Sequence, residues 1–286
     1  MRLRFRTALP AVAAAALATV TAAVPAAAIT GGEPDGQDNP NVGLILFYDS
    51  NGDRFRCSAT LVAPTVLLTA AHCTDGIVGK VLVTFKSVIA KEEPSPFAPA
   101  AHPKKGYTRA EIEKMGYLSG NPRTHPDYSN FTDVDNWFDV GVVLLDERSN
   151  RAPAELAPRN YLDQFTPNVL NKTEFPVVGY GTEVRKAEDG PQNPTPMSYP
   201  LLRRHTSVIG QKLTNQILQA NGNENDPRAG GGTCFGDSGG PIFHDGVIVG
   251  VTSYGYTSNC RYIDGYQRVD IKDVQTWLAR FGVTLS

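Results

Sequence analysis

The chain has 286 residues, 41% of them hydrophobic and 20% charged, and its 27 Lys and Arg against 29 Asp and Glu leave a formal charge of −2. That balance suits one or two packed domains and excludes a polybasic nucleic-acid surface, a long charge block and a disordered polar tail. The 27 glycines and 21 prolines fit many short strands joined by tight turns better than a helical protein.

Residues 1–28 read as an export signal. Arg2, Arg4 and Arg6 form a cationic start, an Ala-rich apolar stretch runs from Ala8 to Val24, and Ala26-Ala27-Ala28 supplies the small-x-small pattern of a cleavage site. Pro10, Thr19, Thr21 and Pro25 interrupt the stretch and argue against a membrane helix, and no later segment is long and apolar enough for one. Removing the signal takes three arginines with it, so the mature region from 29 to 286 is the more acidic part.

Short β-branched runs follow in order: Val42 to Tyr48, Arg56 to Val62, Thr65 to Thr69, Val81 to Phe85, Val140 to Leu145, Pro176 to Tyr180 and Val247 to Ser253. Ser50-Asn51-Gly52-Asp53, Asp75-Gly76 and Asp245-Gly246 supply reversals between strands. The fold class is therefore all-β, a barrel or sandwich. The stretch from Lys91 to Asn136 is polar and Pro-rich and reads as a surface insertion, with a short helix after a Thr108/Glu111 capping pair. Glu183 to Pro200 and Gln219 to Gly232 read as further loops. One helix closes the chain: Asp270 is placed to cap it, and Ile271, Val274, Leu278 and Phe281 recur on one face beside Trp277.

Four cysteines, Cys57, Cys73, Cys234 and Cys260, in an exported chain without metal-ligand spacings favour two disulfides, with three pairings open. Three motifs carry chemistry. Gly236-Asp237-Ser238-Gly239-Gly240-Pro241 surrounds a serine with residues that let substrate approach and let backbone N–H groups converge on one point. Leu68-Thr69-Ala70-Ala71-His72-Cys73 ends an apolar strand on the one histidine of five in such a setting, which alone would more often be a packed core residue. His125, His102, His205 and His244 read as solvated. Asp139 opens an apolar strand, where a carboxylate needs hydrogen-bond donors such as an imidazole; Asp133, Asp135 and Asp146 compete for the role.

Taken together, in the order His, Asp, Ser, these motifs resemble the trypsin/chymotrypsin-like serine peptidase family from Ile29-Thr30-Gly31-Gly32 through to the final helix. The resemblance implies two six-stranded antiparallel β-barrels with a catalytic cleft between them and a C-terminal helix, forming a peptidase domain over 29–286. It implies Ser238 as nucleophile, His72 as general base and Asp139 as its orienting carboxylate, with the N–H groups of Gly236 and Ser238 as oxyanion hole. It also implies bridges Cys57–Cys73 and Cys234–Cys260, and an ion pair between a new Ile29 amine and Asp237, with Thr30 departing from the usual Val. Cleavage after Ala28 would itself expose that amine.

The same resemblance places the substrate at Gly232, Thr233 and Phe235 and along Ser253-Tyr254-Gly255, an uncharged slot for a large apolar side chain. Counting back from Arg268-Val269 puts Asp264 in the pocket wall, where it would favour Arg or Lys. Matching glycine to glycine puts Gly265 there and leaves Asp264 a solvated turn residue, the reading preferred from the Asp-Gly pair. Polypeptide substrates and protein protease inhibitors are the expected partners of a secreted monomer, without nucleic acid, membrane, metal or organic cofactor.

Overall fold

Six strands close the first barrel: β1 (Val42–Asp49), β2 (Arg54–Ala63), β3 (Val66–Thr69), β4 (Ile77–Thr84), β5 (Leu118–Thr124) and β6 (Gly141–Leu145), in the order β1-β2-β3-β6-β5-β4 with β4 returning to β1. The second is closed by β7 (Glu174–Gly179), β8 (Arg204–Leu213), β9 (Ile217–Asn221), β10 (Pro241–His244), β11 (Val247–Gly255) and β12 (Ile263–Arg268), with β7 pairing both β8 and β10. All these pairings are antiparallel. The computed structural model describes residues 29–185 and 195–284, so the expected export signal and the centre of the Glu183–Pro200 loop lie outside the described residues.

Continuous apolar runs arise because strands are buried on both faces. In β1, Ile45 and Phe47 fill the first barrel with Leu61, Leu67, Val81 and Val143, whereas Leu44, Leu46 and Tyr48 join a cluster that also holds Tyr180 and Val251 of the second half and Trp277 of the last helix. Phe175, Val177, Val208, Leu218, Val249 and Tyr266 fill the second barrel. The Asp245-Gly246 reversal has positive φ at both residues, as the tight hairpin between β10 and β11 demands.

Three expectations change. The Lys91–Asn136 stretch is not merely a surface insertion: it contributes β5 to the barrel and buries Phe97, Tyr107 and Ile112, while α1 (Arg109–Lys114) does carry the Thr108/Glu111 capping box. Asp270 does not cap the closing helix α2 (Lys272–Ala279), whose N-cap is Ile271; its buried carboxylate instead accepts hydrogen bonds from the Arg268 guanidinium and the Leu162 N–H. And β5, β8, β9, β10 and β12 were not apparent from apolar runs, because they mix polar residues with few large aliphatics.

A buried ion pair ties the segment before β1 to the junction of the barrels. Arg203, 1% exposed, donates from Nε to Asp35 Oδ2 at 2.5 Å and from its terminal nitrogens to the carbonyls of Val42 and Gly36. Removing one partner leaves an uncompensated buried charge. Arg203→Met is therefore expected to lower unfolding free energy by about 3–5 kcal/mol, and pairing it with Asp35→Asn to restore part of that loss, read from urea denaturation midpoints.

Candidate active site

Asp139 sits just before β6, with its carboxylate fully buried. Its Oδ1 accepts the main-chain N–H of His72 at 2.9 Å, and its Oδ2 lies 2.9 Å from His72 Nδ1 and 2.6 Å from the hydroxyl of Ser253. The carboxylate therefore meets three donors, which compensates its burial. A donor at Nδ1 leaves Nε2 as the basic nitrogen. Gln267 and Trp137 were not singled out in the sequence. Gln267 Oε1 accepts the Asp139 N–H at 3.0 Å, and Trp137 Nε1 donates to Ser253 Oγ at 3.0 Å. No spacing rule joins residues so far apart in the chain. Of the competing aspartates, Asp133 and Asp135 are exposed and Asp146 pairs with Lys80.

His72 lies in the short 3-10 turn Ala71–Cys73, and Cys73 is bonded to Cys57 on β2. The next residue, Ser58, carries the contact with the other barrel: its N–H donates to the Ser238 carbonyl at 2.8 Å and its hydroxyl to the Gly236 carbonyl at 2.9 Å. The nucleophile candidate is thereby brought beside the histidine strand. Ser238 Oγ is half-buried and, among the described residues, not hydrogen-bonded to the His72 ring. Among the same residues neither the Gly236 nor the Ser238 N–H has an acceptor, so both remain available to a substrate oxygen. Catalytic contacts of this kind often close only on a bound substrate.

A cavity of ≈ 370 Å³ opens next to Ser238, walled by Thr233, Phe235, Ser253, Tyr254, Gly255 and Tyr256. Gly232, expected at its floor, lies behind that wall: it bridges Thr30 and packs against Gly222. Ser253 lines the cavity by its position, but its hydroxyl is spent on Asp139. The expectation of a solvated Asp264 is corrected. Asp264 belongs to β12 and is 1% exposed; its Oδ2 accepts the Thr233 N–H at 2.7 Å and hydroxyl at 2.9 Å, and its Oδ1 faces Gly255. Gly265 points the other way, beneath the Tyr254 ring, where any side chain would collide. Strand alternation explains the pair: one of two neighbours must face inward. Burial pushes the Asp264 carboxyl up to about 7, against the lowering pull of the Thr233 donors.

Asp237 is wholly buried beside Ser238. Its oxygens accept the N–H groups of Gly181 at 2.7 Å and Cys234 at 2.9 Å, and burial raises its pKa to about 7, with Arg56 opposing. Ile29 is also fully buried, and the neighbouring Thr30 pairs with Gly232 through a 3.0 Å bond from the Gly232 N–H. In the full chain the Ile29 nitrogen is part of a peptide bond with Ala28, so Ile29 itself offers Asp237 no ammonium. The second disulfide joins Cys234 to Cys260 at the cavity wall. His125, expected to be solvated, is 4% exposed and stacks on Phe138 at 4.8 Å between ring centroids, and burial holds its pKa below the usual imidazole value. The ligand atoms of Cys57, His72 and Cys73 lie within 4.8 Å of one another, yet both sulfurs are consumed by the disulfide and none is left as a thiolate for a metal.

Comparison with known proteins agrees with this architecture. The family model described as Trypsin matches residues 31–278. A trypsin from Saccharopolyspora erythraea is 30% identical over 232 residues, spanning 79% of this chain and 86% of that protein. Brachyurin from Leptuca pugilator is 28% identical, spanning 78% of this chain and 86% of that protein. Among solved structures, HL collagenase superposes with a TM-score of 0.63 at 18% identity, covering 90% of this chain and all of that one, and human heparin binding protein with 0.55, also at 18% identity, covering 88% and 96%. The paired six-stranded barrels are those of the chymotrypsin fold, and the chain belongs to the trypsin family of serine endopeptidases.

Proposed function

We propose that the chain is exported, loses residues 1–28 and acts as a secreted serine endopeptidase with Ser238, His72 and Asp139 as its triad. One observation carries this reading: a fully buried Asp139 grips His72 at both its main-chain N–H and its Nδ1, which fixes the ring's tautomer and aim. Ser238 Oγ attacks the scissile carbonyl while His72 Nε2 takes its proton. The charge that develops on the carbonyl oxygen is held by the N–H groups of Gly236 and Ser238. Collapse of the tetrahedral intermediate passes the proton from His72 to the departing amine and leaves an acyl-Ser238 ester. Water, deprotonated by His72, then attacks that ester and regenerates the serine.

The walls of the cavity beside Ser238 are neutral and partly aromatic, which favours a large apolar or aromatic side chain before the cleaved bond. Behind them, Asp264 adds a component for Lys or Arg only when ionised. The ratio of kcat/KM for Arg to Phe peptides is therefore expected to rise between about pH 6 and about pH 8, since it cancels ionisations common to both substrates. Asp264→Asn should flatten that rise; a flat ratio in the unaltered enzyme would remove Asp264 from specificity.

A protease fold that binds without cleaving is the alternative, and a serine-directed organophosphate separates the two. Stoichiometric loss of peptidase activity, with the label mapped to Ser238 by mass spectrometry, is expected. Correctly processed protein that takes up no label would be a binding protein instead.

A further inference from the structure

A second depression of ≈ 220 Å³ reaches the Gly236–Ser238 turn through Arg56, and its walls also include Arg54, Phe55, Ser95 and Tyr199. None of these borders the cavity that takes the side chain before the cleaved bond. If that cavity holds the acyl half of a substrate, as the endopeptidase reading requires, this depression, which meets the same turn, is open to the half released first. Arg56 is placed to meet it. It immediately precedes Cys57 and stands two residues before Ser58, whose N–H holds the Ser238 carbonyl. Its Nε comes within 2.9 Å of the point where a Cβ on Gly236 would stand, so the guanidinium lies against the nucleophile turn itself.

That guanidinium is poorly compensated. Its Nε is buried without a hydrogen-bond partner, and among the described residues Arg56 forms no ion pair. Burial lowers its pKa, and Asp237, whose charge opposes that shift, has both oxygens engaged by backbone N–H groups. Arg54 adds a second positive charge. It donates to the Phe97 carbonyl at 2.9 Å and the Tyr107 hydroxyl at 3.5 Å, with no carboxylate partner among the described residues. Glu93, on the rim, is exposed and pairs with neither arginine among those residues. A guanidinium with free donors in a partly desolvated site is matched by a carboxylate, which can take two parallel N–H bonds.

We propose that this depression is a subsite for an acidic side chain within the first few residues after the cleaved bond, with Arg56 as its anchoring cation and Arg54 reinforcing the field. Should the Ile29 amine reach Asp237 on maturation, two cations would share one carboxylate and the pull on an incoming acid would grow. The enzyme would then favour bonds followed closely by Asp or Glu, a selectivity independent of the cavity on the acyl side.

Quenched fluorescent peptides, identical up to the cleaved bond and carrying Glu or Gln in the three positions after it, test this with the mature protein. An anilide substrate, with no residue after the bond, is run alongside to report chemistry alone. The Glu peptide is expected to be cleaved roughly fivefold more efficiently than the Gln peptide at low ionic strength. That ratio should fall toward one in about 0.5 M salt, shrink in Arg54→Gln and vanish in Arg56→Gln. Should Arg56→Gln fail to fold, the salt series and Arg54→Gln decide the matter. Equal cleavage of both peptides by the unaltered enzyme, or a preference that survives both substitutions, overturns the subsite. Loss of anilide hydrolysis in Arg56→Gln with the Glu preference intact would make Arg56 a counter-ion for Asp237 alone. No anilide hydrolysis by the unaltered protein would instead defeat the endopeptidase reading on which the subsite rests.

Discussion

The arrangement of the turn that carries Ser238 depends on a carboxylate that has been taken out of water. Asp237 has no exposed surface, and its two oxygens press so closely on Gly179 and Gly181 that no side chain fits at either position. The same residue closes the turn: its N–H donates to the Cys234 carbonyl, and its carbonyl accepts the Gly240 N–H. Burial raises its pKa to about 7. A carboxyl whose folded pKa lies above its free value binds the proton more tightly when folded. The uncut fold therefore loses stability as pH rises from the free value of about 4 toward about 7. A cation beside Asp237 would remove that cost, and the fully buried Ile29, whose neighbour Thr30 is already bridged to Gly232, carries the nitrogen that could supply it.

Ser58 conveys this order across the barrels. Buried on β2 of the first barrel, it donates to the Ser238 and Gly236 carbonyls and accepts the Tyr180 N–H, all three from the second half. Cys57 beside it is bonded to Cys73, next to His72, and Cys234 is bonded to Cys260 at the cavity beside Ser238. Each barrel thus brings its chemical group to the cleft through a short covalent or hydrogen-bonded path. The precision of the site rests on rigid strands more than on the loops that cover them.

Sequence reading reached the motifs and the strands whose apolar runs are buried on both faces, such as Val42–Asp49 and Gly141–Leu145. It missed Leu118–Thr124 and Ile263–Arg268, because a barrel position is set by backbone pairing to neighbours and tolerates polar side chains where a hydrogen-bond partner exists. Asp264 shows the limit most clearly. An Asp-Gly pair has the composition of an exposed turn, yet its register opposite Gly255 turns the carboxylate inward onto Thr233. Asp270 is a similar case: its place before a helix suggested a cap, and the nearby Arg268 guanidinium captured it instead. Ser253, Trp137 and Gln267 support Asp139 only after strands distant in the chain have paired, so no local pattern could mark them.

The central question is whether a free Ile29 amine completes the Asp237 environment. The direct measurement is peptidase activity of two purified forms, one beginning at Ile29 and one retaining only Ala28 before it. A buried charge left without its partner costs about 3–5 kcal/mol, so the longer form is expected to be at least about a hundredfold less active at matched concentration. Equal activity of the two forms would contradict the account, because the Asp237 turn would then need no N-terminal cation to organise the nucleophile.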